Sequence, residues 1–189
     1  IQHKLRKRLV KGRYRVCIKS KLFKGNLNYG EVILKGKKKK EIFLSTYVCH
    51  PSLANNELSG PTVTTFLVKW LLSLKNRKYT YRIIFIPETI GSLVYLSKNL
   101  KNMKKNIVAG FNITCVGDDR CYSLLPSRMA NTLSDKVASH VLKWTDKKFK
   151  TYEWSERGSD ERQYCAPGID LPVASIFRSK YGTYPEYHT

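Results

Sequence analysis

Residues 41–86 read EIFLSTYVCHPSLANNELSGPTVTTFLVKWLLSLKNRKYTYRIIFI. Glu41–Val48 is a mostly apolar, β-branched and aromatic run, typical of a strand covered on both faces, and Tyr79–Ile86 is the next strand. Between them lies a helical pattern with Ser59 as a cap and Pro61 in the first turn. This helix is apolar nearly all round, so we predict that it is buried.

The pattern continues on both sides of this stretch. Upstream, Arg13–Ser20 alternates polar and apolar residues, which predicts a half-buried strand with Leu27–Leu34 as its partner. Downstream, the sequence predicts helices at Gly91–Leu100 and Ser134–Trp144 and strands at Asn106–Val116, Lys150–Trp154 and Leu171–Phe177. Because helices alternate with strands, the order predicts an α/β sandwich with a mainly parallel sheet.

Composition excludes some classes of protein. The chain has 189 residues, of which 42% are hydrophobic, so it can bury a core and is not disordered throughout. It contains no apolar run long enough to span a membrane, and its first residues lack the apolar core of a signal peptide. The five cysteines form no CxxC pair, which favours a reducing compartment. We therefore expect a cytoplasmic protein.

The net charge of +21 is concentrated near the start of the chain, since residues 1–40 alone carry +14. One interpretation is a patch for nucleic acid or another anionic surface. The alternative is a solvated background of lysines. No nucleic-acid-binding motif accompanies the charge, so the sequence favours the second interpretation.

Polar residues collect in four loops where predicted strands end: CHPSLANNELSGP, PETIGS, RGSDERQYCAPG and YGTYPEYHT. Ligands of open α/β sheets bind outside the carboxyl ends of the strands. In the first loop, His50, Asn56 and Glu57 could bring their donor atoms to one point, although a single histidine is also common as a surface residue. In the second, Glu88 follows an apolar strand and suits a general base, or alternatively a first-turn helix carboxylate.

The other two loops are open to two interpretations. Asp160 and Glu161 stand beside arginines, which indicates either a ligand site or a surface cluster of ion pairs. His188 lies near the end of the chain, where a histidine by itself carries little information. Asp118 and Asp119 follow another predicted strand and are candidates for a further oxygen ligand or a simple turn.

Taken together, the ordered segments CHPSLANNELSGP, FIPETIGS, GSDERQYCAPGIDLPVAS and YPEYHT resemble a bacterial family of aminopeptidase-like domains of unknown function. That family is similar to the superfamily of zinc aminopeptidases and glutaminyl cyclases, and the resemblance covers about residues 14–189. It implies a three-layer α/β/α sandwich with a mainly parallel, mixed-edge sheet. It also implies that 1–189 is one catalytic domain, a piece of a longer protein truncated at both ends.

The resemblance implies a metal-assisted hydrolase of amide or peptide bonds, with one or two zinc ions. His50, Asn56, Asp160 and His188 match the metal-site positions, and Glu88 matches the general base. Three positions depart from the superfamily pattern. Asn56 replaces the carboxylate that bridges two ions, and Thr89 and Thr114 stand where metal-binding carboxylates are usual, which puts the second ion in doubt.

The predicted substrate is a small peptide or an amino-acid amide, with no membrane partner. Residues proposed to bind it are Arg157, Glu161, Arg162 and Arg178. The alternatives are a protein that binds a ligand at a degenerate metal site without turnover, and a basic nucleic-acid-binding module. The sequence does not indicate an oligomeric state.

Overall fold

A computed structural model describes residues 3–50 and 52–188 of the chain. The strands are β1 Gly30–Leu34, β2 Lys38–Tyr47, β3 Tyr79–Ile86, β4 Ile107–Ile113, β5 Ser123–Leu125, β6 Lys150–Thr151 and β7 Val173–Phe177. The α-helices are α1 His3–Arg6, α2 Ser59–Ser73, α3 Ile90–Asn106, α4 Leu133–Thr145 and α5 Glu161–Tyr164. A π-helix, Ala54–Leu58, precedes α2, and a 3-10 helix spans Trp154–Glu156.

All seven strands form one sheet in the order β1-β3-β2-β4-β7-β5-β6. The β3-β2-β4-β7 centre is parallel, whereas β1 and β5 pair antiparallel to their inner neighbours. The prediction of a mainly parallel sheet with mixed edges is therefore confirmed. Parallel strands need helical crossovers, and α2 and α3 supply them between β2, β3 and β4.

The sheet has a packed apolar layer on each face, because its central strands carry apolar side chains on both faces. On one face, Phe43 and Ile84 pack with Tyr95 of α3 and Tyr164 of α5. On the other face, α2 and α4 cover the sheet through clusters that include Leu44, Leu71 and Ile83, and Leu124, Ala138 and Leu142. Helices on both faces give the three layers that the sequence led us to expect.

A cluster of charged side chains surrounds the buried Arg82 of β3. Arg82 of β3 donates to both carboxylate oxygens of Glu41 at 2.6 and 3.1 Å and to Glu31 at 2.7 Å. Its guanidinium also donates to the hydroxyl of Tyr95 at 2.9 Å. These bonds join β1, β2, β3 and α3, so a charged residue in a central strand has its hydrogen-bonding groups satisfied.

The predicted strand at Arg13–Ser20 is wrong. Residues 9–29 have no helix or strand, and side chains such as Ile18 and Phe23 lie exposed. The predicted partner begins only at Gly30 and pairs with β3 instead. An alternating pattern specifies which side chains share a face, but it forms a strand only where a neighbouring strand accepts its hydrogen bonds.

The prediction that α2 is buried all round is also wrong. Leu71 is buried against the sheet, but Phe66, Trp70 and Leu72 lie on an exposed apolar face. An apolar groove runs between α2 and α4. Val63 and Leu67 of α2 line one side, Val137 and Val141 of α4 line the other, and sheet residues line the space between them. The helix therefore has one buried face and one open apolar face.

Ser59 is the first residue of α2 and not its cap, which is Leu58. Its hydroxyl donates to the carbonyl of Asn55 at 2.5 Å and accepts from the backbone of Val116 at 3.0 Å. A Cβ at the next residue, Gly60, would lie 2.5 Å from the carbonyl oxygen of Ile113. Only glycine permits this approach, which brings the π-helix close to the end of β4.

Lysines gather at the amino ends of the parallel strands. Lys38, Lys39 and Lys40 open β2, Lys78 precedes β3, and Lys104 and Lys105 precede β4. Lys40 donates to the carbonyl of Lys105 at 2.8 Å, so these groups are neighbours in space. Within the described ranges, no helix has the length and apolar character needed to cross a membrane.

Candidate active site at the strand ends

All four polar loops contribute residues to a cluster at the carboxyl ends of the parallel strands. The backbone N–H of Glu88, after β3, donates to the thiol of Cys49, after β2, at 2.9 Å. The hydroxyl of Ser159 donates to the Glu88 carboxylate at 2.7 Å, and the imidazole centroids of His50 and His188 are 6.1 Å apart. We call this group the strand-end site and define it as His50, Asn56, Glu57, Glu88, Ser159, Asp160 and His188.

Glu88 is a half-buried carboxylate with a raised pKa. Burial is the main cause, because removing a carboxylate from water disfavours its charged form. The nearby carboxylates of Glu57 and Glu161 raise the pKa further, whereas the Ser159 hydroxyl and His188 oppose the change. A carboxylate with a raised pKa is a stronger base than an exposed one and suits a group that accepts a proton from water.

Asp160 is buried behind Glu88. One oxygen accepts from the backbone of Thr89 at 2.7 Å and from the hydroxyl of Ser92 at 2.9 Å, and the other has no hydrogen-bond partner. Burial raises the pKa of Asp160 to about 7, although these two donors oppose the shift. Thr89 has φ of +60°, which is costly for a β-branched residue, and its bond to Asp160 holds it there.

The two histidines lie exposed at the rim of the site. His188 follows directly after Tyr187, whose ring stacks on the imidazole at a centroid distance of 3.9 Å. The backbone of His50 is fixed by a hydrogen bond of 3.3 Å from its N–H to the carboxylate of Glu57. The loops thus bring together two imidazoles from distant parts of the chain.

Asn56 is buried in the π-helix, with 4% of its surface exposed. Its Nδ2 donates to the hydroxyl of Tyr47 at 2.9 Å and to Oε1 of Glu57 at 3.1 Å. Its Oδ1 is buried and has no hydrogen-bond partner. A buried carbonyl oxygen without a donor is unusual in a folded protein and marks a place where a ligand could bind.

Glu57, which the sequence placed beside His50 and Asn56 without a specific role, fixes the backbone of the first loop. Its side chain is buried, and Oε2 accepts from the backbone N–H groups of Cys49 and His50 at 3.1 and 3.3 Å. Its position next to Asn56 was visible in the sequence. The π-helix that turns it inward was not, because a polar loop with Pro and Gly gives no helical pattern.

Among the predicted substrate-binding residues, Glu161 contacts the strand-end site through the backbone N–H of Ser159. Glu161 is fully buried, and its carboxylate accepts from five donors: the backbones of Gly158 and Ser159, the hydroxyls of Tyr181 and Ser175, and the amide of Asn112. It therefore supports the loop that carries Ser159 and Asp160. Arg157 lies over the ring of Trp154 and Arg178 over that of Tyr122, whereas Arg162 is exposed.

An open cleft of about 470 Å³ borders the site. It is lined by Ala54, Asn55, Gly117, Asp118, Arg120 and Glu186. Asp118 accepts from the amide of Asn55 at 2.9 Å and from the backbone and hydroxyl of Ser179 at 3.1 and 2.9 Å, so it ties together the loops after β4, β2 and β7. The guanidinium of Arg120 forms two bonds of 2.8 and 2.9 Å with the Glu186 carboxylate.

The donor set does not fit a two-metal centre. Among the described residues, no group of three or more His, Cys, Asp or Glu side chains is arranged to hold a metal ion. Positions 56, 89 and 114 are Asn, Thr and Thr, so no carboxylate is available there to bridge two cations. Imidazole nitrogens, such as those of His50 and His188, and the unpartnered Oδ1 of Asn56 are donor types that a single divalent ion accepts.

The chain resembles a known family and known proteins over most of its length. The family described as "Domain of unknown function (DUF4910)" matches residues 15–189. A Clostridium acetobutylicum protein, provisionally named for polysaccharide biosynthesis and an aminopeptidase-like domain, is 44% identical over 179 residues. That match covers 93% of this chain and 40% of the relative, so the chain spans well under half of the longer protein.

Two solved structures show the same fold. A crystal structure from Clostridium acetobutylicum, provisionally named a peptidase, matches with a TM-score of 0.78 and 42% identity over 82% of this chain and 36% of that one. A zinc aminopeptidase from Bacillus subtilis matches with a TM-score of 0.67 and 18% identity over 84% of this chain and 42% of that one. The second match supports the fold alone, because its sequence has diverged so far.

Proposed function

The chain belongs to the DUF4910 family, and from this membership and the strand-end site we propose that it is an aminopeptidase-like hydrolase of amide or peptide bonds. The resemblance of its four loops to that family, noted in the sequence, is confirmed. The observation that carries the proposal is the meeting of Glu88, Ser159, His50 and His188 at one edge of the sheet.

Glu88 is the proposed general base. Its carboxylate accepts a proton from the attacking water and later passes that proton to the nitrogen of the leaving amine. The raised pKa of Glu88 suits the first step, because a stronger base takes the proton from water more readily. Ser159 orients the carboxylate through Oε1, which leaves Oε2 available for the water.

His50, His188 and Oδ1 of Asn56 are the proposed ligands of one divalent ion, with zinc the expected metal. A bound ion would lower the pKa of the water and polarise the substrate carbonyl. The proposal assigns Asp160, the remaining predicted ligand, a supporting role. Its bonds to Thr89 and Ser92 fix the loop that carries Glu88.

The proposed substrate is a small peptide or an amino-acid amide. The cleft beside the site, about 470 Å³ in volume, has room for one or two residues. The neighbouring acids Glu57 and Glu88 give this edge of an otherwise strongly basic chain a negative potential that would attract a free amino group.

The experiment measures bound metal by mass spectrometry and then the release of amines from amino-acid amides, with and without a chelator. Glu88→Gln should lower the rate by about 10²- to 10⁴-fold, because the amide is not basic. The matched control Glu153→Gln, at an exposed residue, should keep the wild-type rate. Activity that survives both Glu88→Gln and the chelator would refute the proposal.

Asn56 favours a second candidate, in which the domain binds a ligand without hydrolysing it. An amide oxygen carries no net charge, so it holds a cation less tightly than the carboxylate usual at this position. This candidate predicts that Asn56→Asp raises zinc affinity and that wild type binds substrate analogues with no turnover. Turnover by the wild-type protein would exclude it.

A further inference from the structure

The side-chain amide of Asn56 has two chemically different ends. Oδ1 can coordinate a cation or accept a hydrogen bond, whereas Nδ2 can only donate. Any role of Asn56 as a ligand therefore depends on which end is free. Nδ2 has two hydrogens, and both are used, one by the Tyr47 hydroxyl at 2.9 Å and one by Oε1 of Glu57 at 3.1 Å.

The opposite orientation of this amide is strongly disfavoured. Turning it over would place Oδ1 against Oε1 of Glu57, at a distance where two acceptors repel each other. Glu57 cannot readily turn aside, because its other oxygen accepts from the backbone N–H groups of Cys49 and His50. The whole contact is buried, so water does not easily replace the lost bond.

We infer that Glu57 is a positioning residue that fixes the amide of Asn56 with its carbonyl oxygen as the free end. Through its second oxygen, the same carboxylate also fixes the backbone that carries His50. This inference rests on the proposed function, in which Oδ1 of Asn56 and the imidazole of His50 hold the same ion. The buried carboxylate of Glu57 thus orients the neutral amide of Asn56, the proposed ligand next to it in the sequence.

The inference predicts a specific effect of Glu57→Gln. The new carbonyl oxygen accepts from Cys49 and His50, and the new NH2 group then faces Nδ2 of Asn56. Two donors repel each other, so the Asn56 amide turns over and presents Nδ2 to the ion. We expect zinc affinity to fall by about tenfold or more, since one coordinating oxygen is lost.

The same change should have the opposite effect beside Asn56→Asp. Both oxygens of an aspartate at position 56 are acceptors, so either one can face the ion. Its negative charge is repelled by the neighbouring carboxylate of Glu57. A glutamine at position 57 removes this repulsion and donates to the aspartate at position 56, which leaves the other aspartate oxygen for the ion. Glu57→Gln should therefore raise zinc affinity in the Asn56→Asp background. A general loosening of the loop would lower affinity in both backgrounds.

The test measures zinc binding by calorimetry for wild type, Glu57→Gln, Asn56→Asp and the double variant, using zinc chloride alone. Opposite signs for Glu57→Gln in the two backgrounds support the inference. Equal losses in both would overturn it and leave the proposed hydrolase intact. No zinc binding by any of the four proteins would overturn the proposed metal site instead.

If none of the four proteins binds zinc, the orientation of the Asn56 amide can still be tested by a measurement that needs no metal. In the ¹⁵N–¹H spectrum, the Asn56 side-chain amide is the signal lost in Asn56→Asp. Its two protons should exchange with solvent far more slowly than those of the exposed Asn131, because both are hydrogen-bonded in a buried site. Protons that exchange as fast as those of Asn131 would overturn the inference.

Discussion

The hydroxyl of Ser159 donates a hydrogen bond of 2.7 Å to Oε1 of Glu88, and this bond links two loops that are 71 residues apart in the sequence. Ser159 itself is fixed from behind, since its backbone N–H donates to the buried carboxylate of Glu161 at 3.0 Å. The buried carboxylate of Glu161 thus fixes Ser159, whose hydroxyl in turn modifies the basicity of the half-buried Glu88.

Removing this hydroxyl should raise the pKa of Glu88. The bond stabilises the charged carboxylate and so lowers the pKa, whereas burial and the neighbouring acids raise it. Ser159→Ala removes the lowering contribution and leaves the raising ones. The carboxyl carbon of Glu88, followed by ¹³C NMR, should titrate at higher pH in the variant. Any acid limb in the pH dependence of hydrolysis should move in the same direction. An unchanged titration would mean that the bond is not formed in solution.

Asp118 should stabilise the fold in a pH-dependent way. Burial raises its pKa, but donors on Arg120, Ser179 and Asn55 outweigh burial, so the net pKa is lowered. Its contribution is therefore present above the ordinary pKa near 4 and is lost as the pH falls through the lowered value. Asp118→Asn should reduce the free energy of unfolding by roughly 1–3 kcal/mol at pH 7.

Urea denaturation at several pH values checks this expectation. The difference between wild type and Asp118→Asn should shrink as the pH falls below 4, where Asp118 becomes protonated first in the unfolded chain and then, at its lowered pKa, in the folded protein. Asp119→Asn, at the exposed neighbouring residue, provides the control and should change stability little. A constant difference at all pH values would show that the charge of Asp118 is not involved.

Removal of the buried Arg82 should be among the most damaging substitutions outside the site. Arg82→Met leaves the buried carboxylate of Glu41 without its cation, which costs roughly 3–5 kcal/mol of stability. The double variant Arg82→Met, Glu41→Met removes both charges and should recover most of the loss. Thermal unfolding of the two variants checks this order. An Arg82→Met protein as stable as wild type would contradict the buried cluster.

The two faces of α2 should respond very differently to truncation. Leu71 is 2% exposed and Phe66 is 64% exposed. Leu71→Ala should therefore cost roughly 2–5 kcal/mol, because it leaves a cavity against the sheet. Phe66→Ala should change stability by less than about 0.5 kcal/mol. Denaturant titrations of both variants measure the free energy of unfolding. Equal decreases for Leu71→Ala and Phe66→Ala would contradict the assignment of Leu71 to the buried face and Phe66 to the exposed one.

The sequence predicted the sheet well where strands are apolar on both faces. β2, β3, β4 and β7 appeared at the predicted places because central strands carry a continuous apolar signal that needs no partner to be recognised. β5 was missed, since three residues give no usable pattern. Arg13–Ser20 has the pattern of a strand, but the described chain offers it no neighbouring strand.

The site was predictable in position but not in detail. Polar residues after apolar strands identified the loops of His50 and Glu88, because parallel strands end at a common edge. The role of Glu57 could not be predicted in this way, since it depends on the direction of three hydrogen bonds. The same holds for Glu161, whose charge suggested contact with substrate although burial gives it a supporting role.

The lysines at the amino ends of the strands and the acids at their carboxyl ends give the molecule a permanent electric dipole along the sheet. Seven of its 14 acidic residues lie in the loops at or beside the site or at the start of α5: Glu57, Glu88, Asp118, Asp119, Asp160, Glu161 and Glu186. A molecule with sorted charges takes up a preferred orientation on a charged surface. On a cation exchanger we expect this protein to bind by its lysine end, so that the cleft faces the mobile phase.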